Sequence, residues 1–131
     1  MPPDPRKYLW DALHASALLR QFAGGKTFED YQDDVLLRSA VERQFEVVGE
    51  ALSQLSKRDA VLAEQVPELP RIVAFRNILI HGYANVDATL VWQLLTDKLP
   101  HLEIVLQALL AEPVGDPEST GESLAPDETG S

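Results

Sequence analysis

The spacing of apolar residues predicts that most of this chain is helical. In the stretch from Asp34 to Ser56, apolar side chains recur at alternating intervals of four and three residues. Because an α-helix turns by about 100° per residue, these side chains fall within about 80° of arc. They are Val41, Phe45, Val48, Leu52 and Leu55. We therefore predict a long amphipathic helix that buries this face.

A second helix is predicted over residues 6–23, and the pair Gly24 and Gly25 is expected to end it. Its expected core face consists of Leu9, Leu13, Ser16, Leu19 and Ala23. Leu18 and Phe22 lie off this face. They either contact a partner helix or widen the core stripe.

Shorter elements complete the predicted fold. Thr27, followed three residues later by Asp30, is typical of a residue that caps a short helix. Residues 57–66 form a polar connection that is partly helical. Asp87 is expected to cap the last helix, which Pro100 should kink or break before it continues over residues 101–111. Its expected core residues are Leu90, Leu94, Leu95, Leu102, Val105, Leu106 and Leu109. Without strand alternation or a repeat, the pattern predicts an all-α up-down bundle of four to five helices.

Charge divides the chain into two parts. The formal net charge is −10, and residues 112–131 carry six acidic and no basic side chains. The rest of the chain has 15 of the 21 acidic residues and all 11 basic ones, which gives it a net charge of −4. We predict a helical domain over residues 1–111 and a disordered acidic tail over residues 112–131. A mildly acidic domain argues against tight non-specific RNA binding, so an RNA site needs a local basic cluster.

Several classes of protein are disfavoured by composition. The chain has no cysteine, which excludes disulfides and thiolate metal sites and fits a reducing cytoplasm. The start from Met1 to Pro5 lacks the apolar core of a signal peptide. No apolar run approaches the roughly 18 residues of a membrane span. We expect a cytoplasmic protein that does not enter the membrane.

The candidate chemistry lies between Arg76 and Tyr83. With Arg76 at zero, Asn77 lies near 100°, His81 near 140° and Tyr83 near 340° on a helix, all approximate. These four side chains share roughly one side of a helix predicted to run from Pro70 to about His81. Gly82 is expected to end that helix, which leaves His81 and Tyr83 at its terminus. Residues 78–80, an apolar run, are expected to be buried.

Geometry on the helix leaves two interpretations of this stretch open. The first is a functional site at a helix end. The second is a structural histidine at the cap of a helix with an otherwise exposed polar face. Elsewhere, Glu46 and Glu50 at i,i+4 suggest a metal pair, but no histidine ligand accompanies them. A solvated face with Arg43 as counter-charge explains them better, so we predict no metal site.

The pattern Arg76-x4-His81-x-Tyr83, with Asn77 after the arginine, resembles the signature of HepT-like toxins of the HEPN superfamily. The resemblance covers about residues 6–111. It includes residues 28–31, the stretch 45–51 with Gly49-Glu50-Ala51, the lead-in 67–70, and both Val86-Asp87 and Val91-Trp92. At Arg71 many relatives carry tryptophan.

The resemblance implies a small helical ribonuclease that needs no metal or other cofactor, with Arg76 and His81 as catalytic residues and Asn77 in support. It also implies a homodimer with paired motifs. It further implies a minimal nucleotidyltransferase antitoxin of the MntA type, which adenylylates Tyr83.

The chemistry of RNA cleavage leads to the same dimer. Cleavage needs a base for the 2′-hydroxyl, an acid for the leaving oxygen and a cation for the phosphate. Imidazole, with an unperturbed pKa of about 6.5, suits either proton transfer. Because one motif supplies one histidine, a monomer lacks one of the two, whereas a two-fold dimer supplies both.

Two other hypotheses remain at the sequence level. A non-catalytic HEPN module can use Arg76 and His81 to hold a nucleotide phosphate or a partner protein, which suits the acidic composition. A plain helical scaffold leaves the clustering of polar residues in the motif unexplained.

Overall fold

A computed structural model describes residues 4–82 and 86–112 of the chain, and all its regular elements there are helical. The α-helices are α1 (Pro5–Ala23), α2 (Phe28–Asp33), α3 (Val35–Arg58), α4 (Ala60–Ala63), α5 (Leu69–Ile80), α6 (Ala88–Gln93) and α7 (Leu99–Ala111). A π-helical segment, Leu94–Lys98, joins α6 to α7. The all-α prediction is confirmed. Tyr83 and residues 113–131 of the predicted tail lie outside the described residues.

Short polar side chains begin most of these helices. Thr27 Oγ1 accepts from Asp30 N at 3.0 Å, and Asp30 Oδ2 accepts from Thr27 N at 2.9 Å, a reciprocal capping box. The second of these hydrogen bonds lowers the pKa of the Asp30 carboxyl. Asp87 Oδ1 accepts from Thr89 N at 3.0 Å and thereby caps α6. Both predicted caps are confirmed.

The core forms along α3, the longest helix. All five residues of its predicted apolar face are buried. On α1, Leu9, Ser16 and Leu19 are buried as predicted, whereas Leu13 and Ala23 are only half-buried. The small residues Ala12 and Ala15 are buried in addition, on the helix that makes its most extensive contacts with α3. Phe22 packs against the core, so a wider core stripe accounts for it.

The last predicted helix changes its hydrogen bonding before Pro100 instead of ending there. Pro100 has no N–H to donate. One residue earlier, Leu99 N donates to Leu94 O, a bond five residues back that is typical of a π-helix. Thr96 Oγ1 donates to Trp92 O at 2.8 Å within the same turn. The chain therefore stays helical from Ala88 to Ala111, and the predicted break takes the form of a π-helical segment.

The main helices follow each other in space in the order α7, α1, α3 and α5. Arg20 Nε on α1 donates to both carboxylate oxygens of the buried Glu103 on α7, each at 3.1 Å. At the other end of the row, α5 makes extensive contact only with α3 among the described elements. The motif helix is therefore an edge of the bundle.

None of the described helices has the length and apolar character needed to cross a membrane.

Contact between α3 and α5 depends on a glycine. Gly49 is buried, and a Cβ atom built there would lie 2.3 Å from Arg76 Cβ, 2.8 Å from Arg76 Cγ and 3.3 Å from Ile72 O. The backbone of α3 thus lies directly against the root of the Arg76 side chain. One turn earlier, the rings of Phe45 and Phe75 pack edge to face with centroids 5.4 Å apart.

We expect Gly49→Ala to destabilise the protein by about 1–3 kcal/mol, because two packed backbones must separate to admit the methyl group. This cost exceeds the roughly 0.5–1 kcal/mol by which alanine favours a helix interior over glycine. Urea unfolding followed by circular dichroism measures the change.

Gly24→Ala is the matched control. A Cβ at Gly24 meets only carbonyl oxygens at 3.5 Å, and φ there is −58°, so stability should hold or rise slightly. Equal stability of the wild type and Gly49→Ala would contradict the importance of this contact.

Candidate active site

The guanidinium of Arg76 is held between two acceptors. Its Nη2 donates to Glu50 Oε1 on α3, and its Nη1 donates to Asn77 Oδ1 at 2.8 Å. Gln54 Nε2 in turn donates to Glu50 Oε2 at 3.1 Å. The side chain of Arg76 is 21% exposed and that of Glu50 is 49% exposed. The cation is therefore oriented by neighbours on two helices while it still reaches solvent.

Glu50 is the site residue that sequence analysis missed. The sequence predicts a solvated face on which Arg43 is the counter-charge for Glu46 and Glu50, but Arg43 pairs with Glu46, with Arg43 Nη1 3.3 Å from Glu46 Oε1. Glu50 pairs with Arg76 instead. The available signal was its position next to Gly49, since a glycine that lets two helices touch also brings its neighbour close to the facing helix.

His81 lies at the end of the motif helix, as predicted. It is the C-cap of α5, its N–H donates to Asn77 O at 3.2 Å, and its side chain is exposed. Gly82 follows with φ +66°, the left-handed conformation that favours glycine at a helix end. Arg76, Asn77 and His81 are thus brought together on the last turns of α5. Tyr83 lies outside the described residues.

The apolar run of the motif helix is more open than expected. Leu79 is half-buried and packs against the core, but Ile78 is 36% exposed and Ile80 is 48% exposed. The expected burial of the whole run is therefore wrong for this single chain. The reason is the edge position of α5, since a helix with one extensive neighbour leaves its other faces uncovered.

The arrangement suits phosphate chemistry. A guanidinium has five N–H donors in a planar fork, and here two of them are occupied by Glu50 and Asn77. The remaining donors can bind the oxygens of a phosphodiester. The imidazole of His81 lies on the same helix end and can transfer a proton. Over residues 4–82 and 86–112, no group of three or more His, Cys, Asp or Glu side chains is arranged to hold a metal ion.

Comparison with known proteins gives relatives that are all named as ribonucleases. A protein of Caldanaerobacter subterraneus subsp. tengcongensis named "Putative RNase" is 32% identical over 106 residues, which cover 81% of this chain and 94% of the relative. A "Probable ribonuclease HepT" of Thermococcus cleftensis is 31% identical over 100 residues, or 75% of this chain and 88% of the relative. A "Putative RNase" of Methanocaldococcus jannaschii is 29% identical over 102 residues, or 76% and 91%.

No solved structure matches the chain. The family model described as "Ribonuclease HepT-like" matches residues 12–109, which include α3, α5 and the Arg76–Glu50 contact between them. The chain therefore belongs to the HepT-like ribonuclease family.

Proposed function

We propose that this protein is a metal-independent endoribonuclease and the toxin of a toxin–antitoxin pair, with Arg76 and His81 as its catalytic residues. One observation carries the proposal. A guanidinium oriented by Glu50 and Asn77 shares the end of one helix with an exposed His81, in a chain of a ribonuclease family. Asn77 supports the site because its side-chain oxygen orients Arg76.

The proposed reaction is a transesterification within RNA. A neutral imidazole takes the proton of a 2′-hydroxyl while the 2′-oxygen attacks the adjacent phosphorus. The bond from phosphorus to the 5′-oxygen breaks, and an imidazolium gives its proton to that oxygen. Arg76 donates hydrogen bonds to the phosphoryl oxygens as charge accumulates on them. The products are a 2′,3′-cyclic phosphate and a 5′-hydroxyl.

A symmetric homodimer supplies the second imidazole. Each chain brings one His81, so a base and an acid both require two motifs facing a shared cleft. The exposed Ile78 and Ile80 support this assembly, because they place apolar surface on the motif helix where a second copy can cover it. The dimer would thus bury the run that the single chain leaves open.

Regulation by an antitoxin completes the proposal. A nucleotidyltransferase would transfer AMP from ATP to the hydroxyl of Tyr83, two residues after His81. The tyrosine oxygen would bond to the α-phosphorus of ATP as pyrophosphate leaves and the hydroxyl proton is lost to solvent. The added phosphate is negatively charged and bulky, so it would repel and obstruct an RNA phosphate at Arg76.

We expect Arg76→Ala and His81→Ala each to reduce RNA cleavage strongly while the helical content stays unchanged. Loss of a positioned acid or base typically costs about 10²- to 10⁴-fold in rate. Cleavage by the wild type should persist in EDTA and leave 2′,3′-cyclic phosphate ends, which mass spectrometry of the fragments identifies.

Arg71→Ala and His101→Ala are the matched controls, since Arg71 lies exposed on the same helix and His101 is exposed on α7. Both should cut RNA at the wild-type rate. If Arg76→Ala and His81→Ala do so too, the protein is a binding module that holds a nucleotide or a partner protein.

The dimer is tested by sedimentation. At micromolar concentration the protein should sediment with about twice the 14.5 kDa mass of the chain. Ile80→Asp should shift it towards the monomer, because a carboxylate would be buried at the interface. Ile104→Asp, at a 62% exposed position on α7, should leave the dimer intact. A wild-type protein that is monomeric throughout would overturn the shared cleft.

The role of Tyr83 is tested by co-expression with a minimal nucleotidyltransferase of the MntA type. The wild type should gain one or more AMP units, each about 329 Da, and lose ribonuclease activity because of the added charge and bulk. Tyr83→Phe should gain no mass and still cleave RNA. Tyr8→Phe, at a buried tyrosine on α1, is the control and should be modified like the wild type. Added mass on Tyr83→Phe would place the acceptor elsewhere.

A further inference from the structure

An open cleft lies between α1 and α3, on the side of α3 that carries Glu50. Its volume is about 450 Å³, within the range of sites that bind small molecules. Glu50 lines it and also accepts the hydrogen bond from Arg76. The cleft and the candidate active site therefore adjoin each other through one shared carboxylate.

One wall of the cleft is an exposed aromatic stack. The rings of Trp10 and His14, one turn apart on α1, lie 5.0 Å apart between centroids and within 5° of parallel. Trp10 is 56% exposed. An indole ring left so open is a large apolar surface, and its exposed face is flat. Such a face suits a second planar ring better than an aliphatic side chain.

The charged groups of the cleft favour a neutral ring over a phosphate. The lysine and the arginine that line the cleft already form ion pairs. Lys7 Nζ lies 2.6 Å from Asp11 Oδ2, and Arg43 Nη1 lies 3.3 Å from Glu46 Oε1. Since Glu50 adds a further carboxylate, the cleft as a whole does not attract an anion. Its carboxylates can accept hydrogen bonds from the N–H groups on the edge of a nucleobase.

We propose that this cleft binds one unstacked base of single-stranded RNA, with the base on the face of Trp10 and a neighbouring phosphate at Arg76. The inference rests on the proposed ribonuclease function, which requires RNA at Arg76. It adds a specific role for Trp10, which lies on a different helix from the motif. Stacking on an aromatic side chain tolerates every base, so this site contributes affinity and places the strand without selecting a sequence.

The test measures binding of a short DNA oligonucleotide, which has no 2′-hydroxyl and so cannot be cleaved by the proposed reaction. We expect Trp10→Leu to raise Kd by about 5- to 150-fold, the range that loss of one stacked base predicts. Trp10→Phe should restore part of the affinity because it retains an aromatic face. Leu36→Ala, at a 79% exposed position outside the cleft, should bind like the wild type.

An abasic oligonucleotide of the same length separates base from phosphate contacts. It should bind the wild type and Trp10→Leu equally weakly, since it offers charge but no ring. Unchanged binding of the normal oligonucleotide by Trp10→Leu would overturn the proposal. An equal loss for both oligonucleotides would overturn it too, because Trp10 would then affect phosphate binding or the fold.

Intrinsic fluorescence identifies a competing occupant. Oligonucleotide binding should quench tryptophan emission in the wild type and much less in Trp10→Leu. If emission instead changes with protein concentration in the absence of nucleic acid, and Trp10→Leu abolishes that change, a second copy covers the cleft and the proposal is wrong.

These measurements are independent of cleavage. A protein that stacks a base on Trp10 but never cuts RNA would refute the ribonuclease and keep the base site. A protein that cuts RNA but binds the oligonucleotide equally well without Trp10 would keep the ribonuclease and refute the base site.

Discussion

The candidate site depends on the close approach of α3 and α5 at Gly49. With no side chain at this position, the two backbones meet where Arg76 leaves α5, and any Cβ would overlap that arginine. The same approach brings Glu50, the next residue, within reach of the guanidinium. A single missing side chain thus determines both how the edge helix packs and which acceptor orients its cation.

The ion pair between Arg76 and Glu50 is better understood as a positioning device than as a source of stability. Both side chains reach solvent, and exposed ion pairs contribute about 0–1 kcal/mol. Stability comes instead from the buried face of α3 and from the edge-to-face pair of Phe45 and Phe75. The bundle can therefore keep a partly exposed, charged network at its edge because its core does not depend on it.

The edge position of α5 connects the remaining features of the site. It exposes His81 and leaves Ile78 and Ile80 without cover in the single chain. A helix that carries both the polar motif and uncovered apolar residues suits a surface that is completed by a second copy. The aromatic cleft lies beyond Glu50, between α3 and α1, so α3 carries contacts to the motif on one side and to the proposed base site on the other.

Local sequence pattern determined the helices of this protein and most of their ends. The apolar repeat of α3, the caps at Thr27 and Asp87 and the helix end at Gly82 all depend on residues within a few positions of each other. For that reason the all-α fold and the place of Arg76, Asn77 and His81 on one helix end could be predicted from the sequence. The sequence does not predict the π-helical turn before Pro100. A proline requires that the regular hydrogen bonding change nearby, but it does not specify whether the helix breaks, kinks or becomes π-helical.

Only the tertiary structure decided which residues of different helices lie next to each other. Glu50 and Arg76 are 26 residues apart, and no periodicity relates them. The exposure of Ile78 and Ile80 follows from α5 being the edge of the bundle. The stacked Trp10 and His14 line the same cleft as residues of α3 because α1 packs against α3. Sequence spacing specifies which side of a helix a residue occupies, but the neighbour of that side is set by how the helices pack together.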